Sequence, residues 1–163
     1  MLGSSLFGAQ LAARLGLPYA FASHFAPDHL DAALAAYRSQ FRPSAALDKP
    51  HAMAAMTVIA GETDEEAELL ASSQDQSFVR LRTGEPGKLP PPVPGYRDSL
   101  PESARAMLEH LGQARAVGSA ETVRHRIERF VERTQADELI VSGATYDPAA
   151  RRRSLELTMK ALS

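Results

Sequence analysis

Cysteine and tryptophan are both absent from this sequence of 163 residues. Without a thiol, disulfides, thiolate nucleophiles and cysteine-based metal sites are excluded together. An excess of either charge is lacking too: 18 Lys and Arg stand against 20 Asp and Glu, a formal net charge of −2. That balance gives no electrostatic case for nucleic acid or an anionic membrane as a main partner. No apolar run approaches the roughly 20 residues that span a bilayer. Nor does a basic segment lead into an apolar stretch as in a secretory leader. Aromatics are sparse at 6%, but 44% of the residues are hydrophobic, enough for one ordinary core. A soluble, cytoplasmic protein is expected.

What is present is an alternation of strand and helix patterns. Strand-like segments fall near 2–4, 19–22, 53–60 and 138–142, and each is followed by a helical pattern. Leu30, Leu34, Tyr37 and Phe41 step by four, three and four, the stripe of a helix lying on a sheet. Met53–Ala60 is apolar without alternation, as in a strand covered on both faces. Thr63 with Glu66 forms a capping box ahead of a helix over about 64–78, and Asp147 with Pro148 opens the last helix. Ser119 caps a helix whose apolar face is Val123, Ile127, Phe130 and Val131. Between Thr83 and Tyr96 lie five of the eleven prolines, which rule out helix or central strand there. The stretch of about 83–97 reads as an excursion over one end of the fold.

Such an alternation means a parallel α/β sheet, either doubly wound or a barrel. Four βα units amount to half of a (β/α)8 barrel. The chain opens as if inside a strand, so it reads as the second half of a larger fold.

Gly3-Ser4-Ser5-Leu6-Phe7-Gly8 lies where a strand hands over to a helix N-terminus. Unpaired amides, the positive end of the helix dipole and two hydroxyls could receive a phosphate there. On these residues alone, a plain helix cap at Ser4 or Ser5 is the competing reading. Ser142-Gly143-Ala144-Thr145, after the last strand, is a second-ranked phosphate position. His24 follows the strand end at Ala22 and is a weak catalytic candidate, against the alternative of a loop histidine bonded to a neighbouring carbonyl. His29, His51, His110 and His125 receive no role, and no metal site is expected. Arg151-Arg152-Arg153 reads as a solvated helix face.

Four segments carry a resemblance in the same order: LGSSLFGAQLAARLGLPYAFASHF, TVIAGETDEEAELL, VGSAETVRHRIERF and ADELIVSGATYDPAARRRSLEL. Together with the proline-rich stretch they resemble the bacterial-luciferase-like flavin-dependent monooxygenases over residues 1–163. The resemblance implies the C-terminal half of a (β/α)8 TIM barrel, four parallel βα units with a proline-rich insertion. It implies an oxidoreductase that uses reduced FMN and O2 on a small organic substrate. Ser5 matches a family position at the flavin phosphate, with Ser4 and Gly8 beside it. Phe21, Ala22 and Ser23 match a strand end that passes near the flavin. The chain departs from the luciferases proper at Ser4, where they have an acidic residue, and at Gly8, where they have a threonine.

The resemblance also implies upstream strands that carry further flavin and substrate contacts. Two readings of function stay open: a luciferase-like monooxygenase, as a C-terminal fragment or one chain of a split enzyme, or a non-catalytic truncated fragment or partner-binding subunit. Expected partners are a second copy of the chain or a separately encoded N-terminal half.

Overall fold

Four of the five strands span only two to five residues and one spans nine, and what orders them is pairing supported by the helix that follows. The computed structural model describes residues 1–163. In chain order the elements are β1 (Leu2–Gly3), α1 (Leu6–Leu15), β2 (Tyr19–Phe21), α2 (Leu30–Gln40), β3 (Ala52–Ala60) and α3 (Asp64–Arg82). Then follow α4 (Glu102–Leu111), β4 (Arg115–Gly118), α5 (Ala120–Thr134), β5 (Glu138–Ser142) and α6 (Pro148–Leu162). Two units are distinguished: Met1–Met56 with Arg129–Val141, and Thr57–Glu128 with Ser142–Ser163.

In the first unit β1 and β2 pair in parallel, Gly3 opposite Phe21, and β2 pairs with the start of β3, Phe21 opposite Ala54. β5 also pairs with β3. The stripe expected on α2 is buried at Leu30, Leu34 and Tyr37. The Tyr37 hydroxyl donates to the Leu17 carbonyl at 2.8 Å and accepts the His51 amide at 3.1 Å, so the ring is buried without stranding its polar tip. Helix α1 ends at Gly16, whose φ of +62° suits a residue without Cβ. A Cβ at Gly16 would also lie 2.5 Å from the Arg42 carbonyl oxygen.

The second unit pairs the end of β3 with β4, from Thr57 opposite Arg115 to Ala60 opposite Gly118. Strand β4 adds to the four strand segments read from the sequence. On this sheet α3 buries Ala67 and Ala71 against Ile59 and Val117. The Thr63 hydroxyl accepts the Glu66 amide at 3.2 Å, while the Glu66 carboxylate accepts the amide of Glu62 at 2.7 Å. Asp64 reaches from α3 to the start of α5, accepting the Ser119 amide at 2.6 Å and the Thr122 hydroxyl at 3.2 Å. The bond from the Ser119 amide, and then that from Thr122, holds the Asp64 carboxyl below the usual carboxylate range. At the last helix Asp147 accepts the Ala149 amide at 2.9 Å, with Pro148 at the first position.

The proline-rich segment lies along α3. Gln76 donates to the Pro91 carbonyl at 2.9 Å, the Val93 amide donates to Ser72 Oγ at 2.8 Å, and Arg97 Nε donates to Asp75 at 2.8 Å. Ser72, Asp75 and Gln76 are buried as a result. No helix is long and apolar enough to cross a membrane.

Candidate functional site

The turn from β1 into α1 is built on Ser5, the N-cap, with extended backbone at φ −139° and ψ 159°. Its hydroxyl accepts the Gly8 amide at 3.4 Å, so the expected cap is formed. The amides of Leu6 and Phe7 precede the first intrahelical bond, which runs from the Ala9 amide to the Ser5 carbonyl. No acidic residue occupies the first turn, so nothing offsets the positive end of the helix there. Ser4, beside the cap, is half-buried.

Beneath the turn lies Tyr19, which sequence reasoning did not single out. Its hydroxyl donates to the Ser5 carbonyl at 3.3 Å, and its ring lies under both glycines of the turn. Burial pushes Tyr19 up to about 12, so its hydroxyl stays protonated and remains a donor. A Cβ built on Gly8 would sit 3.8 Å from Ser5 Oγ and from Gly3 Cα. Both glycines could therefore take a Cβ at ordinary contact distance, and their lack of one leaves the space between Ser5 Oγ, Gly3 and the Tyr19 ring unfilled.

The second predicted cluster lies beside the first because of strand register. The Ala22 amide donates to the Gly3 carbonyl at 2.9 Å, which brings the C-terminal ends of β1 and β2 together. Phe21 is fully buried, and Ala22 is half-buried with its carbonyl taken by the amides of Phe25 and Ala26. Ser23 is also fully buried, and its hydroxyl donates to the Ala55 carbonyl at 2.5 Å. That bond ties β2 to β3, so the Ser23 hydroxyl serves the sheet. His24 is half-buried, and its Nδ1 is buried without a hydrogen-bond partner. Burial lowers its pKa below the ordinary histidine value, so the ring is neutral at neutral pH.

The second-ranked phosphate position is closed. The Ala144 amide donates to Gln74 Oε1 at 3.1 Å, and Thr145 Oγ1 donates to the Asp147 carbonyl at 3.2 Å. A Cβ on Gly143 would lie 2.3 Å from the Val58 carbonyl oxygen, inside any tolerable contact. Gly143→Ala is therefore expected to lower stability by about 1–3 kcal/mol, as overpacking against backbone does. Urea unfolding checks this, and an unchanged midpoint would mean that the strand end is looser than drawn.

The other charged candidates are surface groups. Arg153 pairs with Glu62 at 2.6 Å and with Glu156 at 3.4 Å, both exposed. His51 meets Glu138 at 2.8 Å, and His125 lies between Glu121 and Glu128. The structure holds no grouping of three or more His, Asp or Glu that could bind a metal.

The open turn fits a phosphate. Ser4 and the Leu6 and Phe7 amides offer donors, Gly8 leaves room, and the helix end supplies a favourable field. None of Ser4, Ser5, Gly8, Phe21, Ala22, Ser23 and His24 is Lys or Arg, so these residues alone supply no formal positive charge to a phosphate.

Known proteins share this chain's sequence and fold. Residues 1–138 match the family described as luciferase-like monooxygenase. A luciferase-like monooxygenase of Escherichia coli K12 is 47% identical over 159 residues, which are 98% of this chain and 48% of that protein. Among solved structures, apo-MsnO8 is 30% identical with a TM-score of 0.81, covering 99% of this chain and 49% of that one. The oxygenating constituent of 3,6-diketocamphane monooxygenase from Pseudomonas putida, solved in complex with FMN, shares the fold at a TM-score of 0.66 and 21% identity. It covers 98% of this chain and 46% of that one. The chain thus spans about half the length of the curated relatives it matches. Its α/β fold is that of half a (β/α)8 barrel.

Proposed function

The chain belongs to the luciferase-like monooxygenase family, and from that premise we propose that it holds the phosphate of flavin mononucleotide at the Ser4–Gly8 turn. The carrying observation is the acid-free helix start, with Ser5 as cap and no side chain at Gly8 beside Ser5 Oγ. In this reading Ser4 Oγ, Ser5 Oγ and the Leu6 and Phe7 amides bind the phosphate. Phe21 and Ala22 form the strand end beside the flavin, and Ser23 fixes that end to β3. His24 stays neutral and presents a ring nitrogen to the flavin or to a reacting oxygen species. When bound, reduced flavin supplies the electrons for O2 activation and oxygenation of a small organic substrate. Tyr19 supports the turn from below through the Ser5 carbonyl. The expected setting is the cytoplasm, in keeping with a sequence that has no cysteine.

Ser5→Ala is expected to weaken flavin mononucleotide binding by about 1–2 kcal/mol, the scale of one hydrogen bond to a charged group. Fluorescence titration measures this, and binding equal to that of the parent would remove Ser5 from the phosphate site. Loss of the helix cap lowers stability by about 1 kcal/mol at the same time. Affinity is therefore compared well below the melting transition of both forms.

A partner belongs to the same proposal. On α1, Phe7, Leu11 and Leu15 recur every four residues and are all exposed, Phe7 by 72%. Leu2 on β1 is exposed too, and no residue of β5 is fully buried despite its apolar sequence. So many large apolar side chains on one helix and its strand suit an interface. Its occupant is a second copy or an N-terminal half of the barrel that completes the flavin and substrate contacts, a separately encoded half among the candidates. The same apolar row supports the second reading, a partner-binding subunit without catalysis of its own. Light scattering separates the occupants: a dimer of the purified chain identifies the second copy, and a monomer an N-terminal half.

A further inference from the structure

Strand β4 opens on a charge, and its surroundings leave that charge incompletely matched. Arg115 is only 7% exposed, yet it sits in register with Thr57 inside the sheet. Its Nη1 donates to Asp75 Oδ1 on α3. The other oxygen of Asp75 accepts Arg97 Nε at 2.8 Å. Two guanidinium groups thus share one carboxylate, and the triad carries a net positive charge with Arg115 and Asp75 both buried. The charge held inside is the Arg115–Asp75 pair, because Arg97 is 45% exposed to water, and Asp75 offers Arg115 only one of its two oxygens.

The hydrogen-bond inventory points the same way. Arg115 Nε and Nη2 are buried and have no partner. These atoms form the lateral edge of the guanidinium, the edge that receives a carboxylate or phosphate through two parallel bonds. Arg115 lines a cavity of about 240 Å³ together with Asp75, Leu108, Val117 and Arg126. Ligand sites for drug-sized molecules run from about 300 to 1,000 Å³. A nucleotide cofactor is therefore too large for this cavity, whereas a small anion fits. Burial lowers the Arg115 pKa, Asp75 opposes that, and Arg97 and Arg126 add repulsion in the same sense as burial. Exposed Glu68 and Glu109 also line the cavity and disfavour a fully charged dianion.

We propose that this cavity binds a small oxyanion, a phosphate or carboxylate group, through the Nε–Nη2 edge of Arg115 with Arg126 at the wall. Its residues lie on α3, α4, β4, α5 and the proline-rich strap, and none belongs to the flavin turn. The proposal therefore stands or falls independently of flavin binding.

Thermal unfolding of the full chain in sodium phosphate, sodium acetate and sodium chloride at matched ionic strength tests it. A saturable rise in Tm is expected with phosphate, with acetate, or with both, and not with chloride. Phosphate alone assigns a phosphate group, and acetate assigns a carboxylate. Arg126→Gln should raise the half-saturating concentration about tenfold, the loss of one charge-assisted contact. Arg124→Gln, exposed on the same helix outside the cavity, should keep the parent value. Arg115→Met should abolish saturation; if that variant does not fold, Arg126→Gln decides alone. A rise that is no greater than in chloride, or one that Arg126→Gln leaves unchanged, overturns the proposal.

Discussion

Gly8→Asp is expected to abolish flavin mononucleotide binding and leave the fold at least as stable as before. Gly8 is the third residue of α1, and a Cβ there sits 3.8 Å from both Ser5 Oγ and the Tyr19 ring. A carboxylate at that point would face the phosphate across a few ångströms. At an effective dielectric of about 20, two unit charges about 4 Å apart repel by about 4 kcal/mol. Even half of that loss weakens binding by more than about tenfold, and the full loss by about 1,000-fold. Stability moves the other way. Removing a helical glycine gains about 0.5–1 kcal/mol, and an acid in the first turn gains about 0.3–1 kcal/mol. This opposition makes the variant diagnostic, because lost binding cannot then be ascribed to an unfolded chain. Gly8→Ala, whose Cβ meets only ordinary contacts, should bind far better than Gly8→Asp. Equal affinity for parent and Gly8→Asp would take the phosphate away from this turn.

Asp75→Ala is expected to destabilise the protein by about 3–5 kcal/mol, the usual result of removing one partner from a buried ion pair. Arg115 would keep its charge inside the sheet with no carboxylate beside it. The strap would lose its link through Arg97 while keeping the bonds from Gln76 to Pro91 and from Val93 to Ser72. Arg97→Gln is the informative contrast. The Arg97 side chain is 45% exposed, so solvent screening limits its contribution to about 1 kcal/mol or less. Chemical denaturation of both variants measures the difference. If Asp75→Ala loses no more than Arg97→Gln, the buried pair does not hold β4 to α3.

The parallel α/β order was readable because the apolar runs and the caps repeat the same physics in each βα unit. Thr63, Ser119 and Asp147 all cap helices near where their spacing predicts. Strand β4 was not readable, since its four residues begin with Arg115 and end with Gly118 and hold no apolar run. Only pairing with Thr57–Ala60, which the intervening sequence does not encode, makes it a strand. The polar run at Ser72–Gln76 carries no apolar pattern, yet Ser72, Asp75 and Gln76 are buried with bonds to the proline-rich segment. At the site, Ser5 as cap was legible from the turn composition. That Ala22 would meet Gly3 depends on register, and that Tyr19 would lie under both glycines depends on packing. Neither leaves a mark in local spacing.

The central claim is that the Ser4–Gly8 turn holds the phosphate of flavin mononucleotide. Titrating the purified chain with flavin mononucleotide and, in parallel, with riboflavin tests it most directly, because the two ligands differ only in that phosphate. The account predicts saturable binding of the phosphorylated flavin, at least about tenfold tighter than riboflavin, the scale of one charge-assisted contact. Equal affinity for the two, or no saturable binding of the phosphorylated form, would contradict it.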